Sequence, residues 1–236
     1  MGKKHAVTAT DHVRREWSNR VTAEYRSAAL TQNLTLWLIQ IGASPDLIDD
    51  GLRIVKDELV HAELSFEAFL EAGGEAPDPL DRARLGLRAR QGELLELAAA
   101  RACVELFCLG ETVAVPLFKV LREGCTVAVA RRALDPILKG EVRHRDFGWA
   151  LLDHLLELPC EDEVRSEIER ELPGMFARLR KSYGGASKPG ELPPEERAWG
   201  LMHPSRYREI LERTLTRDYV PRFRERGFDA AAAWGG

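Results

Sequence analysis

Two short stretches share a spacing: Glu58-Leu59-Val60-His61 and Glu141-Val142-Arg143-His144, each a carboxylate followed three residues later by an imidazole. On an α-helix, positions three apart lie on one face, so each pair aims both of its groups at one point. A lone glutamate accompanies each pair. Glu24 stands 18 residues before Gly42 and Glu58 stands 16 after it; Glu105 stands 19 before Gly124 and Glu141 stands 17 after it. If each glycine marks the turn of a helical hairpin, a rise of about 1.5 Å per residue leaves the legs of each hairpin about 3 Å apart in height. Glu24 then comes level with Glu58, and Glu105 with Glu141. Arg20 precedes Glu24 by four residues, as Arg101 precedes Glu105.

Four carboxylates facing a helical core would repel one another and suffer a large desolvation penalty. Left bare they must take up protons, with strongly raised pKa values. Two divalent cations remove the problem, because four negative charges then meet four positive ones. Carboxylate oxygens with one imidazole per ion suit iron or manganese rather than a thiolate-rich zinc site. The expected metal ligands are therefore Glu24, Glu58, His61, Glu105, Glu141 and His144. Glu111 competes with Glu105; it lies six residues on, turned by roughly 240° on an α-helix, and fits the hairpin height less well. The plainer alternative makes these glutamates exposed helix residues, with Arg20 and Arg101 as salt-bridge partners.

The elements that must position these groups are helical throughout, with no sustained strand alternation. The pattern predicts a first helix over about residues 10–41, with Val13, Trp17, Val21, Ala28, Leu34 and Leu38 inward. It is capped at Gly42, and Ser44-Pro45 starts a second helix that ends near Ala72. An arginine-rich crossover follows, too long for a tight hairpin. A third helix spans about Glu93 to Arg122, and a fourth runs from about Thr126 to Leu158, bent at Pro136. Beyond Pro159 a fifth helix is interrupted at Pro173, residues 184–194 form a flexible connector, at least one more helix follows, and the tail from Asp229 is frayed. The expected organisation is a four-helix bundle over residues 1–158 and a helical extension over 159–236 packed on it.

A Glu, then Glu-x-x-His, then a Glu, then Glu-x-x-His, one per helix, resembles the ferritin-like di-iron carboxylate superfamily over about residues 10–158. The resemblance implies an all-α, ferritin-like bundle of two antiparallel hairpins joined by a long crossover. It implies that Glu24 and Glu105 each cap one metal, that Glu58 and Glu141 bridge both, and that His61 and His144 each bind one. The cofactor is then two iron ions, or a manganese–iron pair, and the partners are O2, an electron donor and a small-molecule substrate. Departures narrow the choice: there is no rubredoxin-like cysteine module, Cys108 stands where rubrerythrins carry a second Glu, and Leu59 stands where bacterioferritins carry a haem-binding Met. The expected function is a non-haem di-iron oxidase or oxygenase, with a ferroxidase or a tRNA hydroxylase as alternatives.

The bulk properties agree with that class. A net charge of −4 argues against a dedicated nucleic-acid binder, although the stretch Arg82 to Arg90 keeps an RNA substrate in view. No window approaches a membrane span, and the basic start lacks the apolar core of an export signal, so a reducing cytoplasm is expected. Cys103, Cys108, Cys125 and Cys160 form no paired motif and are expected to be free thiols. Ala28, Thr31, Cys108, Thr112 and Gly148 either leave room for oxygen and substrate or simply pack. Tyr25 adjoins a ligand as a packed or exposed side chain, His154 and His203 are expected at the surface, and the extension offers either a pocket wall or a homodimer face.

Overall fold

Thr10 starts the first helix by accepting the Val13 backbone N–H on its hydroxyl (3.2 Å), one of the donors a helix start leaves free. In a computed structural model, which describes residues 8–183 and 190–235, that helix, α1, runs from Asp11 to Gln40. It ends where Gly42 takes a positive φ of 75°, a conformation that favours glycine. Pro45 then opens α2 (Pro45–Glu71), and Gly73 repeats the positive φ at its end. The basic first seven residues, and residues 184–189 of the expected connector, lie outside the described residues.

The crossover from 72 to 94 lies along α1. Ser18 accepts the Asp78 N–H (3.1 Å) and Asn33 accepts the Leu87 N–H (2.7 Å) through their side chains. The third rod is not a plain α-helix. It comprises α3 (Leu95–Ala102), a π-helical stretch (Cys103–Glu111) and α4 (Thr112–Gly124). It starts two residues later than Glu93, whose carboxylate faces Arg101 instead (2.5 Å). A π-helix closes its bonds five residues on rather than four, which widens each turn and slows the angular advance of successive side chains. Pro116 gives a local reason: its ring presses on the carbonyl four residues back, at Thr112, where the π stretch ends.

The turn after α4 is Cys125–Val127, and α5 (Ala128–Leu155) runs through Pro136 as one helix. α1 packs along α2, α2 along α5, and α5 along the third rod, while α3 meets α1. This helical bundle buries Trp17, Leu34, Leu38, Leu134, Ile137 and Leu152 completely or nearly so.

Two expectations for the C-terminal third are corrected. α6 (Glu161–Tyr183) is continuous through Pro173, because buried Ile168 and Leu172 before it and Met175 and Phe176 after it anchor both halves. The tail is helical rather than frayed: in α10 (Ala230–Gly235) Trp234 meets the Phe176 ring edge-on at 5.3 Å and lies under the Arg180 guanidinium. Between them come α7 (Pro194–Ala198), α8 (Pro204–Thr214), a second π-helical turn (Leu215–Tyr219) and α9 (Val220–Glu225). α6 lies against α3 and the first π stretch, and α8 lies against α4, so the extension clads the third rod. Among the described residues there is no strand, and no helix is long and apolar enough to cross a membrane.

Candidate metal centre

The structure brings Glu24, Glu58, His61, Glu141 and His144 together in the core, each nearly excluded from solvent. α1 supplies Glu24, α2 the first Glu-x-x-His pair and α5 the second. His61 Nδ1 stands 3.4 Å from Glu58 Oε2 and 3.7 Å from Glu24 Oε2, while His144 Nδ1 stands 3.4 Å from Glu58 Oε1 and 3.6 Å from Glu141 Oε2. The imidazole centres are 5.7 Å apart. Gly140 makes room for this approach: a Cβ there would lie 2.5 Å from His61 Cε1, so no larger residue fits without moving the ring.

The third rod delivers a different residue from the one expected. Glu105 lies apart from the cluster, partly exposed, and accepts two bonds from Arg178 of α6 (2.6 and 3.1 Å). Glu111 takes the place instead. One oxygen or nitrogen from each of Glu58, Glu111 and His144 lies within 4.8 Å of the others, and the same holds for Glu24, His61 and Glu141. The correction has a geometric cause, since the hairpin turn is Cys125–Val127 and not Gly124. Counted from the helix ends, Glu111 lies 13 residues before Gly124 and Glu141 lies 13 after Ala128, which makes those two level.

Electrostatics reveal the strain of bare carboxylates. Burial raises Glu24 to about 7, with the Glu58 charge adding and His61 opposing. Burial also pushes Glu111 and Glu141 well up, and the two are close enough to share a proton. Burial would raise Glu58 too, but the nearby imidazoles of His61 and His144 hold it below its ordinary value. For His61 burial pulls downward, yet Glu24 and Glu58 outweigh it and lift the ring to about 10.

Seven buried side-chain nitrogen or oxygen atoms lack a hydrogen-bond partner among the described residues, and four of them belong to this cluster: Glu58 Oε2, Glu141 Oε2, His61 Nδ1 and His144 Nδ1. Buried polar groups are rarely left unsatisfied, and here these four converge. The donor set, four carboxylates and two imidazoles in two trios, fits two hard-to-borderline divalent ions.

Two contributors were not anticipated. Ser27 donates its hydroxyl to Glu58 Oε1 (2.7 Å), fixing that carboxylate from α1. Asp57 faces His144 Nε2 at 3.4 Å and is itself held by Arg143 at 2.6 Å. His144 and then Arg143 hold the Asp57 carboxyl down to about 2, so it is an anion that keeps the proton on Nε2 and turns the Nδ1 lone pair inward. A carboxylate directly before the first Glu was the available signal. Asp57 also lines a cleft of about 360 Å³ between α2 and α5, with Arg53, Arg143 and Asp146. Replacing Asp57 by Asn should lower metal affinity about 10- to 100-fold, the usual cost of losing such an outer partner. Equal affinity in a Co(II) titration would mean that helix packing alone orients His144.

Other expected contributors serve the fold. The Cys108 thiol donates to the Gly148 carbonyl (3.4 Å) and Thr112 Oγ1 accepts from Trp149 Nε1 (3.0 Å). A Cβ on Gly148 would lie 2.3 Å from Phe107 Cβ, so that glycine lets α5 approach the π stretch rather than opening space. Arg20 stacks on Trp17 and donates to the Gly200 carbonyl (2.9 Å), and Arg101 pairs with Glu93 and Glu167. Tyr25 is exposed, His154 and His203 are half-buried, and the four cysteines are free. No protein-family model matches this chain, and no curated protein matches it in sequence.

Proposed function

We propose that this chain is a ferritin-like dinuclear metal protein, an oxidase or oxygenase that uses two iron ions, or a manganese–iron pair, to oxidise a small organic substrate with O2. The observation that carries the reading is the convergence of four buried, partnerless ligand atoms in the two trios. Each would cost about 1–3 kcal/mol if left unsatisfied, a cost that coordination removes.

Each residue has a part in that reading. In that reading Glu58, which faces both imidazoles, and Glu141, which belongs with Glu24 and His61 while also approaching His144, would each contribute to both ion sites. Glu24 and Glu111 would each hold one ion. Ser27 and Asp57 hold Glu58 and His144 in orientation. When bound, an iron pair would pass two electrons to dioxygen, the organic substrate and an electron donor supplying the rest. The crossover arginines, the feature that favours an RNA substrate, are partly engaged within the fold, since Arg90 pairs with Glu167 and Glu171.

The test is anaerobic loading with Fe(II), followed by rapid mixing with O2. Two irons per chain, oxygen consumption and a transient visible absorption support the oxygenase reading. Continued oxidation of excess Fe(II) by a large hollow assembly would assign iron handling instead. A chain that takes up no iron loses both.

A further inference from the structure

A nine-residue π-helical run is an uncommon structure, since the α-helix is the better-bonded default for the same residues. Beyond the Pro116 ring at its end, contacts from outside the rod brace it. α5 supports it on the bundle side, where the Gly148 carbonyl accepts both the Cys103 and Cys108 thiols (3.2 and 3.4 Å). From the C-terminal extension comes Tyr219, the last residue of the second π turn. It is fully buried, and its hydroxyl donates to the Leu109 carbonyl at 2.6 Å, two residues before Glu111. The Tyr219 ring is itself wedged in an aromatic cluster, 5.7 Å from the Phe176 ring, which packs on Phe223 and Trp234.

We infer that Tyr219 is a positioning residue: by bonding the Leu109 carbonyl, the C-terminal extension holds the π register that turns Glu111, rather than Glu105, toward the metal centre. The inference rests on the dinuclear reading and gives the extension a role in it. Without the hydroxyl, the Leu109 carbonyl is left to bonds within the rod. The run can then relax toward α-helical turns, which rotate Glu111 off the position where it faces Glu58 and His144. The opposite end of the run is fastened by Arg178 on Glu105, but that pair is about half exposed on both sides and contributes little.

Tyr219→Phe removes one oxygen and leaves the ring. In the full-length variant, Co(II) titration should show one ion bound as in the wild type and the second weakened about tenfold, the effect of losing an outer partner. Phe223→Leu is the control, because it loosens the same aromatic cluster without touching Leu109. It should lower thermal stability yet bind both ions normally. Equal weakening of both ions in Tyr219→Phe, or the same loss in Phe223→Leu, would make Tyr219 merely structural. Hydrogen exchange on the metal-free proteins separates this idea from the dinuclear reading. Amides 103–112 should exchange at a rate different from the wild type in Tyr219→Phe, slower where better-bonded α-helical turns replace the π run, whether or not metal ever binds. Unchanged exchange there overturns the inference, whereas a wild type that binds no Co(II) overturns the metal reading instead.

Discussion

Glu111→Ala is expected to leave the chain holding one divalent ion tightly instead of two, while Glu105→Ala keeps both. Glu111 is the only acidic side chain of the third rod that meets the cluster among the described residues, sharing a site with Glu58 and His144. Removing it strips that trio to two donors and removes one of four charges that balance the two ions. A lost outer partner already costs about 10–100-fold in affinity, so a lost direct ligand should cost more. The burial that drives Glu111 far above its ordinary pKa leads to the same conclusion from the other side, because such a carboxyl stays buried only for a compensating charge or proton. Glu105→Ala loses a surface ion pair with Arg178, worth about 0–1 kcal/mol, and leaves both trios untouched. Metal stoichiometry by Co(II) titration decides between the two variants. Two tightly held ions in Glu111→Ala, or one in Glu105→Ala, would return the ligand to the position that plain helical counting selects.

That reversal shows where sequence reading stops. The Glu-x-x-His pairs lie on regular α-helix, where three residues always return to one face, so Glu58, His61, Glu141 and His144 were legible from spacing alone. Glu24 was legible because Gly42 does mark the end of α1, with its positive φ. Gly124 imitates Gly42 in the sequence but is the last helical residue, so the second hairpin was counted about the wrong pivot. The π stretch then broke the assumption of uniform turns. Pro116 was the local hint, but a proline also kinks or simply sits in a helix, and tertiary contacts from Tyr219 and Gly148 decide which outcome holds. The same limit applies to α6 and α10, where Pro173 and an alanine-rich tail read as breaks until the aromatic cluster formed by Phe176, Phe223 and Trp234 is in view. Local signals found the elements and the pairs. In the proposed reading, contacts between segments far apart in the chain, such as Tyr219 on Leu109, select the last member of the cluster.

Metal loading should stabilise the protein, and by more at pH 8 than at pH 6. In the metal-free chain Glu24 rises from 4.5 to about 7, so the folded state holds its proton more tightly than the unfolded state does. That contribution is present at low pH and is lost as pH rises from 4.5 to 7. His61, raised from 6.5 to about 10, contributes stability that is whole below 6.5 and lost as pH climbs to 10. Asp57 runs the other way, depressed from 3.8 to about 2; its contribution is present above 3.8 and is lost only as pH falls toward 2, so it is constant here. The bare cluster therefore weakens the fold progressively between about pH 5 and about pH 10. Metal ions compete with protons for these same atoms, so binding releases protons and tightens as pH rises. At a hundredfold excess over Kd each ion adds about 2.7 kcal/mol. For a chain of this size two ions correspond to a Tm increase of roughly 10 °C or more. Thermal unfolding at pH 6, 7 and 8, with Co(II) or with chelator, checks both trends. A metal-free protein that grows more stable from pH 6 to pH 8, with no response to Co(II), would mean that these carboxylates and imidazoles satisfy one another without a cation.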